Sequence, residues 1–102
     1  MLLTALGLIT VTNAGTPIVL TASATLRAGK LLIVPRLANT GALLVKDKAG
    51  NIVRAISPPP ATGLLDHFEI SSHHNVDGLQ LSQYQLDATV NGDGGYVSYW
   101  TE

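Results

Sequence analysis

The hydrophobic positions of this chain fall in short runs, and each run is closed by a cluster of glycine, proline or asparagine. No window of a dozen residues holds a clean apolar stripe with the 3.6-residue period of a helix. Runs separated by clusters such as Asn13-Ala14-Gly15 are typical of β-strands joined by turns. The pattern therefore predicts about eight short strands, at 6–12, 16–22, 30–37, 43–47, 52–56, 67–71, 84–90 and 96–101.

Two connections are specific enough to predict hairpins. The stretch LLVKDKAGNIVRAI has polar residues at its centre, where Gly50 or Asn51 can supply the positive φ of a tight turn. In YQLDATVNGDGGYVSYW the alternation of apolar and polar residues is cleaner, and Gly-Asp-Gly-Gly suits a bulged or four-residue turn. We therefore expect 43–47 to pair with 52–56, and 84–90 to pair with 96–101.

Eight strands at this spacing favour an all-β fold, namely a single antiparallel β-sandwich that is jelly-roll-like. Residues 1–102 are expected to form this one domain, with residues 1–12 as an N-terminal strand or arm. Residues 57–63 contain three consecutive prolines. They are expected to form a stiff connection that crosses an edge of the sandwich without ladder hydrogen bonds.

Charge is scarce in this chain. Only 13% of the 102 residues are charged, about half the usual share, whereas 46% are apolar. A single domain of this size buries only about two-thirds of its surface, so much of the chain must face outward. We therefore expect part of that surface to be hidden against other subunits. The net charge of −1 argues against nucleic-acid binding, which requires a basic face.

The first residues, MLLTALGLITV, are apolar enough to suggest a signal peptide. They lack a positively charged leader and a convincing small-residue cleavage site, so we interpret them as a retained first strand. Eleven residues are also too few to span a bilayer, and no membrane association is expected. The chain contains no cysteine, which excludes a disulfide framework and thiolate chemistry.

Two polar regions raise the question of a metal site. The stretch NGDGG lacks the bidentate Glu that an EF-hand needs at position 12, although a looser calcium site with Asp87 and Asp93 stays open. The other region holds all three histidines, but His73 and His74 are adjacent and would point to opposite sides of an extended chain. We expect a loop or subunit junction at 67–77, and neither a metal nor any other cofactor.

No motif indicates catalysis. The sequence has no Gly-x-Ser-x-Gly elbow and no glycine-rich phosphate loop between a strand and a helix. A small sandwich also has little room for a concave pocket. We therefore expect a protein that is not an enzyme and that binds no small-molecule ligand.

The residues expected to contact other subunits lie in three segments. The N-terminal run is so apolar that, if exposed, it would invite pairing with another chain. The proline stretch could form a rigid arm, and the adjacent histidines titrate near neutrality, as residues at a pH-sensitive interface would. The predicted interface residues are Leu2, Leu3, Leu6, Pro58, Pro59, Pro60, His73 and His74.

The order of turns and strands carries a resemblance. Gly15-Thr16-Pro17 leads into a strand, Asn39-Thr40-Gly41 precedes a strand that ends at Asp47, and the turn Asn91-Gly92-Asp93-Gly94 precedes the last strand. From about Thr10 to Trp100, this order resembles small all-β virion proteins of tailed bacteriophages. The resemblance implies a capsid decoration or cement protein, made in the host cytoplasm and bound on the capsid exterior. Such proteins are commonly homotrimers that contact the major capsid protein and stabilise the shell.

Two alternatives stay open. A carbohydrate-binding or adhesin module would share the fold and would use Tyr84, Tyr96, Tyr99 or Trp100 as a stacking platform. A tail or neck adaptor would remain a virion protein but would occupy another position in the particle. With one Trp and 5% aromatic residues, we expect each aromatic to be a core or sheet-packing residue, which weighs against the carbohydrate module. The sequence does not separate the tail or neck adaptor from decoration.

Overall fold

The computed structural model describes residues 2–60, 65–72 and 78–101. Ten strands follow one another along the chain, with one 3₁₀ turn (Leu81–Gln83) before the ninth. The strands are β1 (Leu2–Thr10), β2 (Ile18–Val19), β3 (Arg27–Ala28), β4 (Lys30–Pro35), β5 (Leu43–Asp47), β6 (Ile52–Ile56), β7 (Phe68–Ser71), β8 (Leu79–Gln80), β9 (Tyr84–Ala88) and β10 (Gly94–Thr101).

The main strands form two four-stranded antiparallel sheets. Sheet A has the order β1-β10-β4-β7, and sheet B has the order β2-β9-β5-β6. Strands β3 and β8 form a separate pair of two residues each. The all-β antiparallel sandwich predicted from the sequence is confirmed, and each of the eight predicted strands overlaps one observed strand. The pair β3–β8 was not predicted, because two residues are too few to show an alternation.

The core lies between the two sheets and is built from alternate residues of each strand. In sheet A, Leu31 and Ile33 of β4 and Val97 of β10 are almost completely buried. In sheet B, Val45 and Leu86 face them from β5 and β9. Full burial of each such side chain stabilises the folded state by about 1.5–3 kcal/mol, so this layer supplies most of the hydrophobic stabilisation. Because the period of a strand is two, the residues between them must face away from the core.

The predicted hairpin between β5 and β6 is confirmed. Leu43 pairs with Ile56, and Gly50 has a φ of +91°, as the turn requires. The Asp47 carboxylate accepts hydrogen bonds from the backbone N–H groups of Ala49 and Asn51. These hydrogen bonds hold the pKa of Asp47 below its ordinary value, and the bond from Asn51 has the largest effect.

Replacing Gly50 with alanine is expected to lower the free energy of unfolding by roughly 1 kcal/mol, because a Cβ strains a backbone with positive φ. No atom lies within 4 Å of the added Cβ, so the loss would come from the backbone alone. Gly50→Asn is the matched control, since asparagine tolerates this conformation and should lose less. Urea unfolding followed by tryptophan fluorescence measures both. Equal stability of the alanine variant and the native chain would contradict the prediction.

The second predicted hairpin is wrong. Strand β9 lies in sheet B between β2 and β5, whereas β10 lies in sheet A between β1 and β4. The connection at 89–93 therefore crosses from one sheet to the other. It is tied to the end of β1 because Val11 donates to the Asp93 carbonyl and Gly92 donates to the Val11 carbonyl. Apolar and polar residues do alternate in both strands. Such alternation is found in strands that face each other across a core as well as in strands that pair.

The N-terminal segment forms the longest strand. β1 begins at Leu2, within the N-terminal strand or arm predicted for residues 1–12, and pairs with β10. The pairing register shifts between Ala5 and Gly7, so that Leu6 is an extra residue at a β-bulge. Gly7 has a φ of +95° at this point. The bulge turns Leu6 toward the core, against which it packs.

Candidate interaction surface

The outer side of sheet A is an apolar surface. The register places Tyr96 of β10 between Leu8 and Val34, and Ser98 between Ala5 and Leu32. Trp100 lies next to Leu3 in the same row of outward positions. We call this surface the apolar face; its large side chains are Leu3, Leu8, Leu32, Val34, Tyr96 and Trp100, with Ala5 and Ser98 between them.

The apolar face is open to solvent in the single chain. Leu3 is 56% exposed, Leu8 43% and Tyr96 50%. Lys30 is the one charged residue at the outward positions of β1, β10 and β4. Its ammonium is 3.1 Å from the Glu69 carboxylate and 5.0 Å from the centre of the Trp100 ring. The face therefore presents almost no formal charge, which is unusual for a surface that meets water.

Strand β1 adds a free edge to this face. Among the described strands it pairs only with β10, so the backbone groups of its other side have no strand partner. Its nine residues, LLTALGLIT, contain no charged residue and no proline. Natural edge strands usually carry such residues, because an unprotected edge pairs with other chains. Of the features that usually protect an edge strand from pairing, β1 has the β-bulge between Ala5 and Gly7.

In sheet B, the outer side of β9 is different, because a loop of the chain covers it at Asp87. The Lys46 ammonium is 2.7 Å from the Asp87 carboxylate, which is almost completely buried. The Gly15 and Ala88 N–H groups donate to the other oxygen of Asp87, and the Ala14 N–H donates to the Asn91 side chain. The loop at 13–16 is thereby held over β9. The loop therefore covers β9, whereas β6 at the edge of sheet B is exposed over residues 52–55.

Burial and hydrogen bonding act in opposite directions on Asp87. Burial raises the pKa of its carboxyl group, but the Lys46 hydrogen bond and the Ala88 and Gly15 N–H groups lower it further than burial raises it. The net result is a pKa below the ordinary value near 3.8. The group is therefore ionised at neutral pH and serves as the anchor of the 13–16 loop.

The predicted contact residues are distributed unevenly. Leu2 is 67% exposed and, with Leu3, lies at the open end of β1. Leu6 is partly buried and packs against the core. Pro58 and Pro60 are exposed, and Pro59 is partly buried. The predicted residues His73 and His74 lie outside the described part of the chain.

The proline stretch is fixed where it begins. The Asp66 carboxylate is 2.9 Å from the Arg54 guanidinium and accepts a hydrogen bond from the Ser57 N–H. The Ser57 and His67 N–H groups, with the Arg54 charge, hold the pKa of Asp66 below its ordinary value. The ends of the connection between β6 and β7 are thus held together by one carboxylate. Of the predicted connection at 57–63, the structure describes residues 57–60.

The acidic residues that suggested a calcium loop have structural partners. The Asp93 carboxylate is buried and accepts hydrogen bonds from the Thr40 and Gly41 N–H groups. Asn39 bonds both the N–H and the carbonyl of Gly94. Asp87 is engaged by Lys46. Within residues 2–60, 65–72 and 78–101, no three His, Cys, Asp or Glu side chains are grouped to hold a metal ion.

The four aromatic residues considered for carbohydrate stacking are in two environments. Tyr99 belongs to the buried core, and Tyr84 packs partly against it. Tyr84 also lines a shallow groove of about 430 Å³ beside the β5–β6 hairpin, with Val53 and Gln83. Tyr96 and Trp100 lie on the apolar face. Of the four aromatic residues, only Tyr96 and Trp100 are therefore placed to stack on a sugar.

Comparisons with known proteins add no relative. No family model matches the chain, and neither a curated protein nor a solved structure matches it. In the described part of the chain, no helix has the length and apolar character needed to cross a membrane.

Proposed function

We propose that this chain is a non-enzymatic structural protein of a virion, a capsid decoration or cement protein that binds the head exterior as a homotrimer. The observation that carries the proposal is the apolar face, which a single copy leaves exposed. An exposed apolar sheet face of this extent marks a site of contact with other proteins. A protein that is built to assemble fits this surface better than one that works alone in solution.

The strand pairing supports the same proposal. β1 pairs with β10, β2 with β9, β3 with β8, β4 with β7, and β5 with β6. This nested order is what one long antiparallel hairpin gives when it is rolled into two sheets, and we therefore assign the sandwich to the jelly-roll type. That architecture occurs in viral capsid domains and in lectins.

The proposed mechanism is avidity. Each subunit makes modest contacts with the major capsid protein, and an oligomer engages several sites at once, which raises the overall affinity without any new contact. The exposed residue Leu2, at the end of β1 outside the apolar face, and the proline stretch at 58–60 are the proposed contacts with the shell. The stiffness of consecutive prolines lowers the entropy lost on binding.

Binding to shells tests this function. The chain is co-expressed with the coat protein encoded in the same genome, and the shells are sedimented and washed. We expect the native chain to sediment with the shells in a saturable ratio, and a Leu2→Asp variant to be lost from the pellet. Leu37→Asp is the control, because Leu37 is 77% exposed but lies in the loop after β4. Native chain that stays in the supernatant would refute the proposal.

A carbohydrate-binding module is the second candidate, favoured by the exposure of Tyr96 beside Trp100 on one strand. Aromatic rings on a flat surface can stack on sugar rings. Tryptophan fluorescence reports on this directly, since Trp100 is the only tryptophan in the chain. A concentration-dependent change with a panel of glycans would favour this candidate over the virion one, whereas an unchanged spectrum would remove it.

A further inference from the structure

We propose that the apolar face lies on the rotation axis of a homo-oligomer, where it is covered by the same face of neighbouring copies. This inference rests on the proposed function, because it names the partner of the surface that carries that function. At a two-fold axis the whole face meets its own copy, whereas at the three-fold axis of a homotrimer only the residues nearest the axis do.

The chemistry of the face suits contact with itself. When a charged surface meets a copy of itself, like charges are brought together, which costs several kcal/mol. Here the one outward charge of β1, β10 and β4 is Lys30, and Glu69 neutralises it at the side next to β7. The central residues, Leu8, Ser98 and Tyr96, carry no charge. The formal net charge of −1 adds almost no repulsion between whole copies.

The size of the face fits a modest contact. Strands of nine, eight, six and four residues, at about 3.3 Å per residue and about 4.8 Å between strands, give sheet A a flat face of roughly 430 Å². Two such faces in contact bury about 860 Å² in total, the size of a weak interface. Sheets that pack face to face in protein cores lie about 10 Å apart, a distance that Leu and Tyr side chains fill.

The contrast with β9 of sheet B favours a copy of the same chain as the occupant. There residues 13–16, held by Asp87 and Asn91, cover the strand, whereas Tyr96 of β10 is 50% exposed. The chain has no equivalent loop over sheet A in the described ranges, and β1 leaves a free edge beside the face. A second copy supplies a matching apolar cover from the same gene product at the same concentration.

Single cysteines test the inference, because the chain contains none. Ser98 is at the centre of the face and its replacement by cysteine is conservative. A short bismaleimide is expected to link Ser98→Cys protein at least ten times faster than Leu37→Cys protein, giving a product of about 21 kDa, twice 10.7 kDa. Equal rates for the two variants would overturn the inference.

The mass of the free protein in solution is a second test of the face contact. Light scattering coupled to size exclusion is expected to show more than one copy for the native chain and one copy for Tyr96→Asp and for Leu8→Asp. A variant counts in this test only if it unfolds cooperatively on heating, which shows that it is folded. One folded variant is enough to decide the result. A native chain that stays at 10.7 kDa, or folded variants that keep the native mass, would overturn the inference.

The two proposals fail separately. A monomeric free chain that still sediments with shells would refute the face contact and leave the decoration function standing. An oligomer linked through Ser98→Cys that ignores shells would support the face contact and refute decoration.

Discussion

Replacing Lys46 with methionine is expected to lower the free energy of unfolding by about 2 to 3 kcal/mol at neutral pH. The substitution removes the ammonium that lies 2.7 Å from Asp87 and leaves a carboxylate that is only 1% exposed. Removing one partner of a buried ion pair is destabilising because the other charge stays buried. The expected loss is at or below the lower limit of the usual range of about 3–5 kcal/mol, since the Lys46 side chain is itself 17% exposed.

Lys30→Met is the matched control for this prediction. Lys30 also pairs with a carboxylate, but the pair with Glu69 is one-third or more exposed on both sides. Exposed pairs contribute about 0–1 kcal/mol, so this variant should unfold within 1 kcal/mol of the native chain. Urea unfolding of both variants gives the comparison. Equal losses in the two variants would contradict the buried character of the Lys46–Asp87 pair.

The pH dependence of the free energy of unfolding is a second test of the Lys46–Asp87 pair. The folded-state pKa of Asp87 is below its unfolded value near 3.8, so its contribution is fully present above that value. It is lost as the pH falls through the folded-state pKa. The native chain should therefore lose stability relative to Lys46→Met/Asp87→Leu below about pH 4. A constant difference between the two proteins from pH 6 to pH 3 would contradict the assignment.

The fold could be predicted to the level of its class because local rules decide that level. Apolar alternation and turn residues are properties of neighbouring positions, and they located the β5–β6 hairpin with its Gly50 turn. Pairing between distant segments is a different matter. Residues 84–90 and 96–101 look like a hairpin in sequence, but the Asn39 and Asp93 hydrogen bonds that hold the crossing come from elsewhere in the chain.

The candidate surface was predicted only in part, for a similar reason. The low charge indicated a hidden surface, and Leu2 and Leu3, which the sequence predicts as contact residues, are exposed in the single chain. The alternation placed Tyr96, Ser98 and Trp100 on one side of a strand without showing whether that side was core or surface. Only the pairing of β10 with β1 and β4 brings Leu8 and Val34 beside Tyr96. The bulge that turns Leu6 inward has one sequence signal, the glycine that follows it.

Replacing Gly94 with alanine is expected to lower the free energy of unfolding by about 3 kcal/mol, at the upper end of what overpacking costs. Gly94 is where β10 begins, directly beside the end of β1. An added Cβ would overlap the Ile9 carbonyl oxygen and lie 3.1 Å from the Thr10 Cα. Both atoms belong to the backbone, so relief requires β1 and β10 to separate. Separation would also strain the two hydrogen bonds between Gly94 and the buried Asn39.

Gly95→Ala is the control that isolates this backbone overlap. Its Cβ would meet methyl groups of Leu43 and Ile33 at 3.1 and 3.3 Å and the Val34 carbonyl oxygen at 3.2 Å. Side chains can yield by a few tenths of an ångström, so we expect a loss of about 1 kcal/mol there. Urea unfolding ranks the two variants, and amide exchange of β1 shows whether that strand opens first. If Gly94→Ala were as stable as Gly95→Ala, the close approach of β1 to β10 at this point would be wrong. The edge of the apolar face would then have to be redrawn, because β1 supplies Leu3 and Leu8 to it.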